Sequence, residues 1–62
     1  MGLGYDIFRK LDDGTPYWLA QAGTLEEATE KLDAFFRDKP AAYFVRDAST
    51  GEVVSRRAPS SD

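Results

Sequence analysis

The amino-acid sequence predicts an α+β fold of order ββαββ: a four-stranded antiparallel sheet with one helix packed on one face. Three observations predict it. Apolar runs with strand-like alternation flank an Asp13-Gly14 pair near the start and a Thr50-Gly51 pair near the end, each a hairpin signal. Between the two hairpins the apolar period changes from two to three and four, the spacing of a helix with one buried stripe.

Tyr5 to Leu11 is aromatic and β-branched, has no helix cap before it, and reads as the first strand. Asp12-Asp13-Gly14-Thr15 turns the chain, because glycine accepts positive φ at no steric cost. Pro16 opens the second strand, Tyr17 to Ala22; a first strand residue can lack a ladder donor. Thr24 with Glu27 three residues later forms a capping box, and the helix is expected from about Thr24 to Asp38. Leu25, Ala28, Leu32 and Phe35 or Phe36 supply its apolar stripe. Glu27–Lys31 and Asp33–Arg37 are favourable i,i+4 pairs on the outer face, each worth about 0.2–0.5 kcal/mol. Lys39-Pro40 ends the helix, since the residue before proline is driven from helical angles. Ala41 to Asp47 is the third strand, Ala48 to Gly51 a turn, and Glu52 to Arg56 the fourth strand. One domain over residues 1–56 is expected, with residues 57–62 as a disordered tail.

Each hairpin pairs with itself and the helix must cover one sheet face, so the strand order 2-1-3-4 is favoured over 1-2-4-3.

Composition sets bounds on function. A chain of 62 residues holds one small domain and buries only about 60% of its unfolded surface. It contains no cysteine and no histidine, which excludes disulfides, thiolate metal sites, cysteine nucleophiles and the commonest general base. Eleven acidic residues against eight basic give a net charge of −3 and a pI near 4.7, a balance that opposes a phosphate-tracking surface. No secretory pattern is present, and Gly2 lacks the Ser or Thr at position six that a myristoylation motif wants, having Asp6 there. A soluble cytoplasmic protein, with no membrane association, is the expectation.

Alternation sorts the strand side chains into two sets. Tyr5, Ile7, Tyr17, Leu19, Tyr43 and Val45 form one; Asp6, Phe8, Lys10, Trp18, Ala20, Phe44 and Arg46 form the other. Only the second set places charges beside its aromatics, and charges are rarely buried unpaired. Ile7, Leu19 and Val45 are therefore expected under the helix, against Leu25, Ala28, Leu32 and Phe36. Phe8, Trp18 and Phe44 then stand exposed or half-exposed on the uncovered face, with Lys10 and Arg46 beside them. Those rings can serve as plain packing under the Lys10 and Arg46 stems, as a surface for another protein or a second copy, or as a platform for stacked bases.

Catalytic chemistry is not expected, and no cofactor or metal is implied. Asp12-Asp13 sits in a hairpin tip where solvation keeps both carboxylates ionised and unperturbed, and Glu26-Glu27 is explained by capping. The oxygen-rich stretch Asp47 to Glu52 lacks the length and spacing of a calcium loop. No phosphate loop or nucleophile elbow occurs. Arg56-Arg57 is a small basic cluster suited to docking. The expected role is a non-catalytic module that binds an unknown protein partner, or forms a homodimer, through Phe8, Trp18, Phe44, Lys10 and Arg46. Single-stranded nucleic-acid binding on the same rings is the alternative.

Tyr5-Asp6-Ile7-Phe8-Arg9-Lys10, Asp13-Gly14-Thr15-Pro16-Tyr17-Trp18, Leu25-Glu26-Glu27-Ala28, Tyr43-Phe44-Val45 and Thr50-Gly51-Glu52 together resemble a group of small uncharacterised bacterial proteins. That group has a YDIF-(R/K) opening, a DG-x-P-x-W turn, an L-x-E-A helix and a YF-(V/I)-x-D-x-x-TG hairpin. The resemblance spans roughly residues 5–54 and departs at Arg46, where the group carries an aromatic, and at Ala20, where a polar residue is usual. It implies a shared fold and a bacterial cytoplasmic origin, and no mechanism.

Overall fold

A computed structural model of the chain describes residues 4–59. The expectations at Gly2 and at the tail end, residues 60–62, lie outside the described residues. Strands β1 (Tyr5–Lys10) and β2 (Pro16–Ala22) precede helix α1 (Leu25–Asp38), and β3 (Tyr43–Asp47) and β4 (Val53–Arg57) follow it. The sheet order is β2-β1-β3-β4 and every pairing is antiparallel, the order favoured from connection rules. β1 is therefore a central strand, and β2 and β4 are the edges.

Each turn closes by a local device. In the first, the Gly14 amide donates to the Leu11 carbonyl at 2.9 Å with Gly14 at φ 90°, and the Thr15 amide donates to Asp13 Oδ1 at 2.9 Å. In the second, the Gly51 amide donates to the Asp47 carbonyl at 2.7 Å with Gly51 at φ 79°. Both glycines lie in the left-handed region where a Cβ is disfavoured.

Helix α1 begins on the capping box. Thr24 is extended (φ −133°, ψ 160°) and its Oγ1 accepts from the Glu27 amide at 3.1 Å. The reciprocal bond runs one residue earlier than the usual form: Glu27 Oε1 accepts from the Gly23 amide at 3.2 Å. At the far end Lys39 is extended, as its place before Pro40 requires, and its amide still donates to the Phe35 carbonyl at 2.9 Å.

The core lies between α1 and one sheet face. Ile7, Val45 and Tyr43 from the central strands meet Ala28 and Leu32 from the helix and Ala22 from β2. Phe35 and Phe36 both pack against this cluster, so the helix closes its stripe with two rings. Leu25, expected in the stripe, is corrected: it is 43% exposed and lies outside the core cluster.

Two bulges depart from simple alternation. Ile7 pairs with Ala20 and Phe8 with Trp18, so Leu19 is the extra residue of β2. At such a bulge two successive residues oppose one partner, and Leu19 and Ala20 both pack on the core. Ala20 therefore lies on the helix side, not on the open face as strict alternation placed it. A second bulge makes Val54 the extra residue of β4, between the pairs Val45–Ser55 and Arg46–Val53.

β4 also extends one residue beyond the expected end of the domain. Arg57 pairs in register with Tyr43, its Nη1 bonds Asp33 Oδ1 of the helix at 2.6 Å, and its guanidinium lies 4.6 Å from the Phe36 ring centre. Arg57 thus belongs to the fold and not to a tail. Asp33 takes this cross-element partner instead of Arg37, and the Glu27 carboxylate is engaged at Gly23 instead of with Lys31.

Candidate functional site

The helix leaves the second sheet face uncovered, and register decides which side chains stand there. Directly opposed residues share a face, and the ladder Trp18–Phe8–Phe44–Arg56 crosses all four strands on that side. The row Gln21–Asp6–Arg46–Val53 runs beside it. Alternation adds Lys10, opposite Pro16 at the end of β1. Phe8, Trp18, Phe44, Lys10 and Arg46 are therefore on one surface.

Their exposures differ more than expected. Phe8 is 8% exposed, which corrects its placement as an open ring. The Phe44 ring stacks on it at 5.0 Å between centres and 14° between planes, and the Arg46 guanidinium lies 4.9 Å from its centre. A ring on the central strand, flanked on both sides, is covered by its own neighbours. Such a stack contributes about 0.5–1.5 kcal/mol beyond burial, and an exposed cation–π contact about 0.5–1 kcal/mol. Trp18, on the edge strand, is 55% exposed, and its Nε1 donates to Asp6 Oδ1 at 3.3 Å. That bond orients the indole across the open face while leaving its ring accessible.

A groove of about 430 Å³ crosses the same face near the start of β3, lined by Lys10, Pro16, Phe44, Val53 and Arg56 among others. Sequence reading missed Pro16 and Val53 as lining residues. It also treated Arg56 and Arg57 as one cluster, whereas strand alternation sends Arg56 to the open face and Arg57 to the helix side.

The carboxylates that invited acid–base readings are turn locks. The Thr15 amide and hydroxyl hold the Asp13 carboxyl below its ordinary range, which corrects the expectation of an unperturbed group. Asp47 Oδ1 accepts from the Ser49 hydroxyl at 2.7 Å and the Ser49 amide at 2.8 Å, and its carboxyl is likewise lowered. Among the described residues no group of three or more His, Cys, Asp or Glu side chains converges on a metal-sized site. No described helix is long and apolar enough to cross a membrane.

Comparison with protein-family models, with curated proteins and with solved structures returns no match.

Proposed function

We propose that the chain is a non-catalytic binding module whose working surface is the open sheet face, and that its ligand is another protein. One observation carries the reading: an exposed edge tryptophan, pinned by Asp6, stands beside a cation-rimmed apolar groove on a rigid sheet. Trp and Arg are the residues enriched where binding energy concentrates, and placement on strands avoids the ordering cost of a loop. Two carboxylates that invited an acid–base reading, Asp13 and Asp47, are spoken for by turn closure. A general acid or base works with a pKa near the operating pH, and Asp13 and Asp47 are displaced in the opposite direction by bonds that close turns.

Base stacking is less well supported. Phe8 is 8% exposed, covered by the stacked Phe44 ring and the Arg46 guanidinium, so it offers a base almost no ring surface.

A random dodecapeptide library displayed on phage, selected on the wild-type chain and counter-screened on a Trp18→Ala/Phe44→Ala double variant, tests the proposal. Enriched peptides that lose the double variant support it. Enriched peptides that bind both proteins equally place the working surface elsewhere.

A further inference from the structure

The strands of the open face carry a charge of opposite sign to that of the whole chain. Of the eleven carboxylates and eight cations in the sequence, the paired strand positions of the face hold one carboxylate (Asp6) and three cations (Lys10, Arg46 and Arg56), with Asp12 and Asp13 in the turn at its end beside Gly14. Asp6 already accepts from Trp18 Nε1. A chain with a net charge of −3 therefore presents a locally positive, aromatic surface.

The groove has its own geometry. Its lining includes Pro16 from β2, Lys10 from β1, Phe44 from β3, and Val53 and Arg56 from β4, and it continues past the strand ends to Gly14 and Ala58. Three strand spacings of about 4.8 Å make a track of about 14 Å, the length of about four extended residues at about 3.3 Å each. Pro16, Phe44 and Val53 offer an apolar floor, while Lys10 and Arg56 are exposed cations along it.

From this juxtaposition we infer that the partner segment is a short, extended, acidic peptide with one large apolar side chain, lying across the strands in the groove. This inference rests on the open-face reading above and adds the partner's chemistry. The apolar side chain seats against Phe44 and Val53, and flanking carboxylates meet Lys10, Arg56 and Arg46. A long polyanion such as single-stranded nucleic acid meets the same cations but also the acidic remainder of the chain, which repels it over a Debye length of about 8–10 Å. A second copy of the chain is a weaker fit, because two such faces brought together oppose like charges.

Trp18 is the sole tryptophan and stands on the same face two residues from Pro16 but outside the groove lining, so binding is read by calorimetry with Trp18 emission recorded alongside. The test titrates the full chain with three acetylated octapeptides sharing a central phenylalanine, flanked by Asp and Glu, by Asn and Gln, or by Lys. An oligothymidylate of eight nucleotides is a fourth ligand, and sedimentation equilibrium of the free chain is run alongside. The expected result is saturable binding of the acidic peptide, about tenfold or more tighter than the neutral one and weakening as salt rises through the screening range. Lys10→Gln/Arg56→Gln, both at exposed positions, removes that preference with the circular dichroism of the fold unchanged. Equal binding of the acidic and neutral peptides overturns the inference and leaves the open-face reading standing. Tighter binding of the oligonucleotide, or a dimer in the free chain that Trp18→Ala disrupts, overturns it in favour of that occupant. Failure of every peptide to bind in the calorimeter overturns the inference, while a ligand recovered by the phage selection still upholds the surface.

Discussion

The Tyr43 hydroxyl donates to the Lys39 carbonyl at 2.6 Å, with the Phe35 carbonyl a second acceptor at 3.2 Å. The side chain of the first β3 residue thereby closes the end of the helix that precedes it. The last carbonyls of a helix have no partner within it, and here a ring already in the core supplies one. The Tyr43 ring stacks on Phe35 with 18° between planes and meets Phe36 edge-on at 73°, both at 6.3 Å between centres. Tyr43 thus couples the helix terminus to the strand that carries Phe44 onto the opposite face.

Tyr43→Phe keeps the ring and removes the donor. It is expected to cost about 1 kcal/mol, the net worth of one such bond, and to lower Tm by about 4–8 °C in a domain of this size. Urea unfolding should move the midpoint with the slope unchanged; an unaltered midpoint would mean water satisfies the carbonyl equally well.

Gly4 is held at φ +83°, and an added Cβ there would run into the Ala22 carbonyl oxygen. Gly14 has a similar φ of +90° and open space around it. Gly4→Ala therefore carries both the left-handed penalty of about 1–2 kcal/mol and a backbone clash, whereas Gly14→Ala carries the first alone. Thermal melts should rank Gly4→Ala well below Gly14→Ala, and equal melts would contradict the close approach.

In the helix, Leu32→Ala opens a cavity under a side chain that is 2% exposed and is expected to cost about 2–5 kcal/mol. Thr24→Ala removes the cap at about 1 kcal/mol, and Leu25→Ala, at an exposed position, should stay within about 0.5 kcal/mol. Chemical denaturation of the three variants checks the order. A large loss at Leu25 would show that the helix stripe is rotated from the one described.

Acid should weaken the fold through its two turn carboxylates. Asp13 and Asp47 are both lowered from an ordinary value of 3.8, so the unfolded chain binds protons more readily than the folded one. Their contribution is complete above that value and is lost as pH falls through it to the lower folded values. Asp47→Asn keeps an acceptor for the Ser49 hydroxyl and amide but cannot titrate, so its melting curve against pH should fall less steeply below about pH 4 than that of the wild type. Parallel curves would remove Asp47 from the acid response.

Much of the fold was legible because each level of the sequence agreed with the next. Asp13-Gly14 and Thr50-Gly51 marked turns, Thr24 and Glu27 marked a helix start, and Lys39-Pro40 marked its end. The site was less legible. The extra residue at Leu19 arises from pairing between strands, which leaves the local pattern of β2 unchanged, so Ala20 crossed to the helix side unseen. Burial of Phe8 depends on the Phe44 ring and the reach of Arg46, both from β3, and adjacent Arg56 and Arg57 part only once β4 takes its place in the sheet.

The central claim, that the open sheet face is where a protein partner binds, is tested most directly by backbone amide shifts during titration with a peptide recovered from the phage selection. Saturable changes are expected at Lys10, Trp18, Phe44, Arg46, Val53 and Arg56, with Glu26 and Glu30 on the outside of the helix unmoved. Changes centred on the outer face of α1, with the sheet residues silent, would contradict it.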